Sequence, residues 1–449
     1  MVNPQAARLK QEFWGLSLPI MIEFLIGFSV PVVDCFFLAK ISTDAALAVG
    51  AVLPILVFCD VFYGSLNSSA KSLAAQALGR GDANLAKRIF NHTLLFVLVI
   101  STLQFTIFYF FSQQIVHLLV LPAPIAAIAN EFLLVMGCGY GVLGSRYLFQ
   151  VMNALYGIVK FNIGSAAIML TINALGDAAV VYNWFGLGRF GVVGVASVSI
   201  LAVLTALIYL IIVQKIKLGF TLKLIAPRKD FLQIARLSTV IAIPSVLEPL
   251  SVQLFLVTVT SVVASLGHVE LAMRIFGTNL FLLCIVPGLA FTVTSQILAG
   301  NYLGAKDFDT AEKLIYTTLR YSVAMVSVMA LLIVLFARPL LGMFTSDFAI
   351  LSIAFVCLIP LALAEPLKSV NMVIGSNLKT AGDGLRPTVI GILLTWLVTV
   401  PLVWYVAPQF GFLAILWLLL LDEILKCGYN LFRWSQGIWR TNLIDGLKD

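Results

Sequence analysis

The chain has 449 residues, of which 61% are hydrophobic and only 11% charged, and its mean hydropathy is +1.04. Soluble globular proteins are about 45–50% apolar and about 25% charged, and disordered chains combine low hydrophobicity with high charge, so both classes are excluded. The net charge of +7 would suggest nucleic acid in a soluble protein. In membrane proteins basic residues gather in cytoplasmic loops, so we expect no nucleic-acid partner.

Apolar stretches long enough to cross a lipid bilayer follow one another along the chain. The predicted spans are residues 13–38, 45–67, 90–112, 122–147, 162–182, 191–214, 237–266, 273–298, 317–338, 349–375, 388–407 and 411–432. Their continuous apolar character excludes a β-barrel, whose strands alternate between apolar and polar residues. The sequence therefore predicts an all-α integral membrane protein with about twelve transmembrane helices.

Lys and Arg residues are concentrated on one side of the predicted bundle. With an even number of spans, that side carries both termini, Arg80, Lys379 and the basic cluster at 215–236, whereas the other side has few basic residues, Arg274 among them. Basic loops stay in the cytoplasm. We expect both termini to be cytoplasmic and the protein to lie in the cytoplasmic (inner) membrane of a prokaryote.

The two halves of the chain repeat each other at an offset of 225 residues. The pairs are Pro19 and Pro244, Glu23 and Glu248, Leu78-Gly79 and Leu303-Gly304, Asp82 and Asp307, and Ala86 and Ala311. We predict two pseudo-symmetric six-helix lobes, residues 1–214 and 237–449, joined by a basic cytoplasmic linker at 215–236. Two such lobes are related by an axis along the membrane normal, and this arrangement is typical of transporters with a central cleft.

Several motifs resemble those of a known family. They are Leu-Pro-Ile-Met-Ile-Glu (18–23) with Val-Val-Asp (32–34), Leu-Gly-Arg-Gly-Asp (78–82) answered by Leu-Gly-Ala-Lys-Asp (303–307), and Leu-Lys-Thr-Ala-Gly-Asp (378–383) with Arg386-Pro387. With the duplicated halves, the pattern resembles the MATE (multidrug and toxic compound extrusion) transporters over essentially the whole chain. The resemblance implies an outward-opening cleft and export of organic cations, driven by entry of H⁺ or Na⁺.

Asp34, in the outer half of the first span, is the leading candidate for proton or cation coupling. Ionisable groups inside a bilayer are costly and are therefore candidate functional groups. Burial disfavours the charged form of a carboxyl, so a buried Asp can exchange a proton near neutral pH. Pro31 removes the helical donor of the Gly27 carbonyl, and a bend there is a candidate hinge that responds to the charge on Asp34.

Asn173 and Asp177 lie four residues apart in the fifth span, hence on one helical face. The family resemblance implies that these two residues lie beside Asp34 in a polar network of the N-terminal lobe. Secondary candidates for this lobe are Gln150, Asn153, Tyr140, Ser197 and Ser199. For these five residues, local hydrogen bonding without a transport role is the competing interpretation.

Glu23 precedes Asp34 by eleven residues, which returns it to nearly the same helical face about 16 Å nearer the cytoplasm. In Na⁺-coupled members of the family, the resemblance implies a cation site in the C-terminal lobe built from acids of the seventh and tenth spans. Glu248 and Glu365 fall in those spans, but each is about one helical turn from the expected place. Lys368 follows Glu365 by three residues and can neutralise it. We therefore favour H⁺ over Na⁺ as the coupling ion.

The substrate surface is less defined. Asp34, and Asp60 in the second span, are candidates to attract a cationic substrate, and aromatic side chains suit flat organic cations. The sequence has no Walker A or His-Glu-x-x-His motif, so we expect neither ATP-driven transport nor a metal or cofactor. A Na⁺-coupled antiporter, a lipid-linked substrate flippase, a channel and an integral-membrane enzyme remain alternatives. We expect a transporter rather than an enzyme, acting as a monomer in the bilayer.

Overall fold

The computed structural model describes residues 4–219 and 228–446, and within these ranges the secondary structure is helical throughout, without strands. The first half contains α1 (Pro4–Ile41), α2 (Thr43–Gly79), α3 (Ala83–His117), α4 (Ala123–Leu155), α5 (Lys160–Val181) and α6 (Gly191–Leu218). A 3₁₀ turn at Trp184–Phe190 precedes α6. All six helices are long and apolar enough to cross a membrane.

The second half begins with α7 (Arg228–Ala264), α8 (His268–Gly304), α9 (Phe308–Leu335), the short α10 (Ala337–Gly342) and α11 (Phe348–Thr380). It ends with α12 (Leu385–Leu393), a wider π-helical turn at Leu394–Thr399, and α13 (Val400–Ser435). A last 3₁₀ turn occupies Leu443–Gly446.

The predicted spans 388–407 and 411–432 form one helical stretch, Leu385–Ser435, in the structure. Gly411 interrupts that stretch, because its φ of 71° and ψ of −166° are not helical. Counted by length and apolar character, the described residues contain eleven membrane-spanning candidates, the last of which holds two spans. The structure therefore confirms the predicted all-α fold with about twelve transmembrane helices.

The predicted linker at 215–236 is only partly described. Lys215 and Lys217 form part of the last turn of α6, and residues 228–236 begin α7. The segment 220–227 lies outside the described residues.

The chain divides into two compact units. The N-unit comprises Leu18–Ala74 and Ala83–Ser238, and the C-unit comprises Met1–Ser17, Ala75–Asp82 and Thr239–Asp449. Each unit has its own apolar core: Tyr63, Leu133 and Tyr140 are among the core residues of the N-unit, and Met273, Leu358 and Ile415 among those of the C-unit. The C-unit also includes the start of α1, where Phe13 stacks on Phe291 with the ring centroids 5.3 Å apart.

The repeated Leu-Gly motifs mark a close crossing between the ends of α2 and α8 inside the C-unit. A Cβ added to Gly79 would lie 1.8 Å from the backbone oxygen of Asn301, and one added to Gly304 would lie 2.0 Å from that of Gln76. The two contacts are related by the 225-residue offset of the sequence repeat. Only glycine allows the two backbones to approach so closely, so the repeat reflects a packing requirement.

The residues that follow these glycines form helix C-caps of one type. The backbone N–H of Asp82 donates to the carbonyl of Ala77, and that of Asp307 donates to the carbonyl of Tyr302, each at 2.9 Å. The preceding residues, Gly81 and Lys306, have φ values of 85° and 62°. This left-handed turn directs backbone N–H groups to the last carbonyls of the helix. Glycine adopts the turn without strain, whereas lysine does not.

Candidate functional site

A polar cluster in the N-unit joins three helices around Asp34. The Nδ2 atom of Asn173 in α5 donates to Oδ1 of Asp34 in α1 at 2.8 Å. The same nitrogen lies 3.2 Å from Oγ of Ser199 in α6. Asn173 is fully buried and Asp34 is half-buried. The structure thus brings together Asp34, Asn173 and Ser199, as the family resemblance implied for the first two.

Asp177 lies one turn after Asn173 and is also fully buried. No N–H or O–H donor of the described residues reaches either oxygen of its carboxyl. Its carboxyl is close enough to that of Asp34 for the two to form a hydrogen bond when one of them carries a proton. Two adjacent carboxyls in a low-dielectric environment repel each other when both are charged, so this pair is suited to hold a shared proton.

A second polar cluster surrounds Glu23, nearer the predicted cytoplasmic side. The Nε2 atom of Gln150 donates to Oε1 of Glu23 at 2.6 Å. Arg146, which is buried, lies one turn before Gln150 on α4 and interacts electrostatically with Glu23. The amide of Asn162 lies close to the carboxyl of Glu23. The charge on Glu23 is therefore balanced by polar groups from α4 and α5.

Buried amides extend the cluster around Glu23 toward α6. Asn162 donates from Nδ2 to the carbonyl of Gln150, and Asn153 donates from Nδ2 to Oδ1 of Asn162, both at 3.0 Å. Gln214 in turn donates from Nε2 to Oδ1 of Asn153 at 2.9 Å. The predicted candidates Gln150 and Asn153 therefore lie in the cluster of Glu23 and not beside Asp34.

Asp60 has tyrosines as neighbours. Its Oδ1 atom is buried and has no donor among the described residues. Tyr140 and Tyr147 of α4 both lie within electrostatic range of it. The hydroxyl of Tyr140 donates to the carbonyl of Leu56 at 2.9 Å, and its ring stacks on Tyr63. Tyr140 thus belongs to the surroundings of Asp60 and is not a partner of Asp34.

Two further predicted residues do not make polar contacts with the Asp34 cluster. The hydroxyl of Ser197 donates to the carbonyl of Val193 in its own helix at 2.7 Å and is exposed. Pro31 lies inside the continuous helix α1 and is exposed. Ser197 faces away because it is two residues from Ser199, and such a step turns the side chain by about 200° around the helix.

The acids of the C-unit form ion pairs with lysines. Glu365 accepts from Nζ of Lys368 at 2.6 Å, which confirms the pair that their spacing predicted. Glu248 of α7 pairs with Lys379 of α11. The side chain of Lys379, in the last turn of α11, is only 11% exposed. Long-range pairing with α7 accounts for its burial, because a lysine is buried only when it is paired.

Sequence reasoning did not single out the acids of α13 as site residues. Asp422 accepts from Thr399 at 2.8 Å and from Thr395 at 3.1 Å, and it pairs with Lys426 at 2.5 Å. Both threonines belong to the π-helical turn, which directs them to the same carboxyl. Glu423 accepts from Nδ2 of Asn371 at 2.8 Å. The signal in the sequence was the four-residue spacing of Asp422 and Lys426 within an apolar helix.

These C-unit residues line a cavity of about 350 Å³. Its walls carry Arg274, Lys368, Lys379 and Lys426 together with Glu248, Glu365, Asp422 and Glu423, and the rest of its lining is mainly apolar. Arg274 lies near the start of α8 and is 5% exposed. Among the described residues, no group of three or more His, Cys, Asp and Glu side chains could hold a metal ion.

Comparison with known proteins agrees with the duplicated architecture. The family model MatE matches residues 19–179 and 244–405, and the two matched segments begin at the prolines that the sequence repeat pairs. The transporter YisQ of Bacillus subtilis is 27% identical over 433 residues, which cover 95% of this chain and 94% of YisQ. The probable multidrug resistance protein NorM of Thermotoga maritima is 22% identical over 449 residues, covering 98% of this chain and 95% of NorM.

Solved structures share the fold. A mutant of the Vibrio cholerae MATE transporter VcmN superposes with a TM-score of 0.90 at 18% sequence identity. The match covers 98% of this chain and 99% of the VcmN chain. At this identity the similarity establishes a common fold.

Proposed function

The chain belongs to the MATE family of membrane transporters, and we propose that it is a secondary active antiporter that exports organic cations and drugs in exchange for protons. The observation that carries this proposal is the buried cluster of Asp34, Asn173 and Asp177, in which two carboxyls of different helices lie together. Members of the family are transporters, so we expect no enzymatic activity.

The cluster accounts for exchange in chemical terms. With a proton on the pair, one hydrogen bond joins Asp34 and Asp177 and the cluster carries one negative charge. An organic cation favours the fully charged form of both carboxyls, because opposite charges attract more strongly in a low-dielectric site. Proton and cation therefore compete for the same carboxyls. This competition is the requirement for antiport when the two halves alternate between access from either side of the membrane.

The lysine pairs of the C-unit favour protons over Na⁺ as the coupling ion. A sodium site needs several oxygen ligands that are free of other cations. Glu248 and Glu365 are each paired with a lysine, so neither offers an uncompensated carboxylate. The match to the MATE model also favours drug antiport over a lipid-linked substrate flippase.

We further propose that the protein acts as a monomer in the prokaryotic inner membrane with both termini in the cytoplasm. The eleven long apolar helical stretches among the described residues support a multi-pass membrane protein. The concentration of Lys and Arg residues on the side of the bundle that carries both termini supports the cytoplasmic placement of the termini.

Ethidium efflux from proteoliposomes tests the proposal. Efflux would be measured under an imposed pH gradient and, separately, under an imposed Na⁺ gradient. The proteins compared are the wild type, Asp34→Asn and Asp44→Asn, the last a control at an exposed acid of α2. We expect efflux only under the pH gradient, lost in Asp34→Asn and kept in Asp44→Asn. Efflux driven by Na⁺ and unaffected by Asp34→Asn would contradict the proposal.

A further inference from the structure

Arg274 is a buried guanidinium without a charged partner. Its side chain lines the C-unit cavity and the residue is 5% exposed. Nη1 donates to Oγ1 of Thr278 at 3.3 Å, whereas Nε has no acceptor among the described residues. No carboxylate of the described chain lies within ion-pair distance of it.

The acids of the cavity make their polar contacts with groups other than Arg274. Glu248, Glu365 and Asp422 are each paired with a lysine. Glu423 accepts from Asn371 and lies in electrostatic range of Lys368 and Lys426. The three lysines each pair with one acid, so Glu423 balances the charge of Arg274 in the cavity as a whole. None of the four carboxylates forms an ion pair with the guanidinium of Arg274 itself.

A buried guanidinium that no carboxylate contacts and whose Nε lacks an acceptor is costly, and the cost falls when an anion supplies the missing acceptors. Arginine binds carboxylate and phosphate oxygens through its planar set of N–H donors. Arg274 thus presents the donor chemistry that an anionic group requires.

The same face of α8 continues as an apolar wall. Arg274, Thr278, Phe281 and Ile285 follow one another at helical spacing and all line the cavity. Phe255 and Leu416 add apolar surface from α7 and α13. The cavity volume of about 350 Å³ is sufficient for a small organic molecule.

We propose that the C-unit cavity is a binding site for an amphiphilic organic anion, whose acidic group is bound by Arg274 and whose apolar body lies along Phe281 and Ile285. This site is separate from the Asp34 cluster. The proposal is that an anion binds there at equilibrium, which goes beyond the cation export proposed above. Two sources share this chemistry, a dissolved aromatic acid and an anionic lipid, and the experiment distinguishes them.

Calorimetric titration of the purified full-length protein in phosphatidylcholine nanodiscs tests the site. The ligands are 2-naphthoate, the neutral 2-naphthamide and the cationic 2-naphthylmethylammonium, which share one apolar body. We expect 2-naphthoate to bind about tenfold or more tightly than the amide, and this preference to disappear in Arg274→Gln. Arg274→Lys should keep part of the preference, and Arg338→Gln, at an exposed residue of α10, should keep all of it.

A parallel arm repeats the titration in nanodiscs that contain phosphatidylglycerol. Competition by this lipid, relieved in Arg274→Gln, would identify the lipid headgroup as an occupant and support the site. Equal binding of acid and amide by the wild type, together with no competition by phosphatidylglycerol, would overturn the proposal.

Thermal unfolding separates ligand binding from a structural role. Arg274→Gln removes an unpaired buried charge, so the ligand-free variant should unfold at the same temperature as the wild type or higher. A marked fall in its unfolding temperature would show that Arg274 stabilises the fold and would count against the proposal. Failure of ethidium efflux would leave these binding results unaffected, so the two proposals can fail separately.

Discussion

The side-chain nitrogen of Asn173 lies 2.8 Å from the carboxylate of Asp34, although 139 residues separate them in the chain. The bond joins α1 to α5 at the level where Asp177 brings a second carboxyl. Asn173 cannot take up or lose a proton, so it holds Asp34 in place whichever of the two carboxyls carries the proton.

Removing the second carboxyl should uncouple transport from the pH gradient. In Asp177→Asn the new side-chain amide donates a hydrogen bond to Asp34 without taking up a proton. The two side chains therefore no longer share a proton that can be exchanged. We expect pH-driven ethidium efflux to fall about tenfold or more while the protein remains folded. Efflux rates and the unfolding temperature are the measurements, and unchanged efflux would show that Asp177 has no part in coupling.

The crossing of α2 and α8 should not tolerate a methyl group. Gly79→Ala and Gly304→Ala each place Cβ against a backbone oxygen, so one helix must shift. We expect each to lower the free energy of unfolding by about 2 kcal/mol or more. Gly64→Ala is the control in α2, since a Cβ there meets nothing within 4 Å. Thermal unfolding in detergent measures all three, and equal stability of Gly79→Ala and Gly64→Ala would refute the prediction.

Lys306 is held in a left-handed backbone conformation that favours glycine. Lys306→Gly should therefore raise the free energy of unfolding by about 1 kcal/mol. It also removes an ion pair with Asp445, but both side chains of that pair are largely exposed and the loss is small. Lys313→Gly in α9 should instead destabilise, because glycine weakens a helix interior. A lower unfolding temperature for Lys306→Gly would contradict this interpretation of the turn.

Arg433 and Asp383 form a bidentate pair, with N···O distances of 2.6 and 2.8 Å. The side chain of Arg433 is 7% exposed and that of Asp383 14%. Asp383→Ala leaves a buried guanidinium without its counter-ion, so we expect a loss of about 3 kcal/mol. Asp309→Ala, at a 78% exposed partner of Arg440, is the control and should change stability little. Chemical denaturation compares the two, and similar losses would indicate that the pair between Arg433 and Asp383 is not stabilising.

The fold could be predicted because its determinants are local or repeated. Spanning helices follow from long apolar stretches, and the 225-residue repeat of Gly79 in Gly304 reflects two matching contacts at the one close crossing of α2 and α8. The merged last two spans were less predictable, since Gly411 interrupts the helix without a polar loop.

The site was only partly predictable because its contacts join distant helices. The four-residue spacing of Asn173 and Asp177 was visible in the sequence, as was the pair of Glu365 and Lys368. The partners of Lys379 and of Glu23 could not be predicted from spacing, because each partner is a side chain of another helix. The sequence analysis placed Arg274 only among the basic residues of the side opposite the termini. Residue spacing does not predict that a side chain is buried without an ion-pair partner.

Proton release on substrate binding tests the central claim most directly. Ethidium would be added to the purified wild type, Asp34→Asn and Asp177→Asn in weakly buffered detergent solution containing a pH-sensitive dye. Competition for the pair of Asp34 and Asp177 predicts proton release by the wild type and none by either variant. Ethidium binding by the wild type without proton release, or equal release by Asp34→Asn, would contradict proton-coupled exchange at this site.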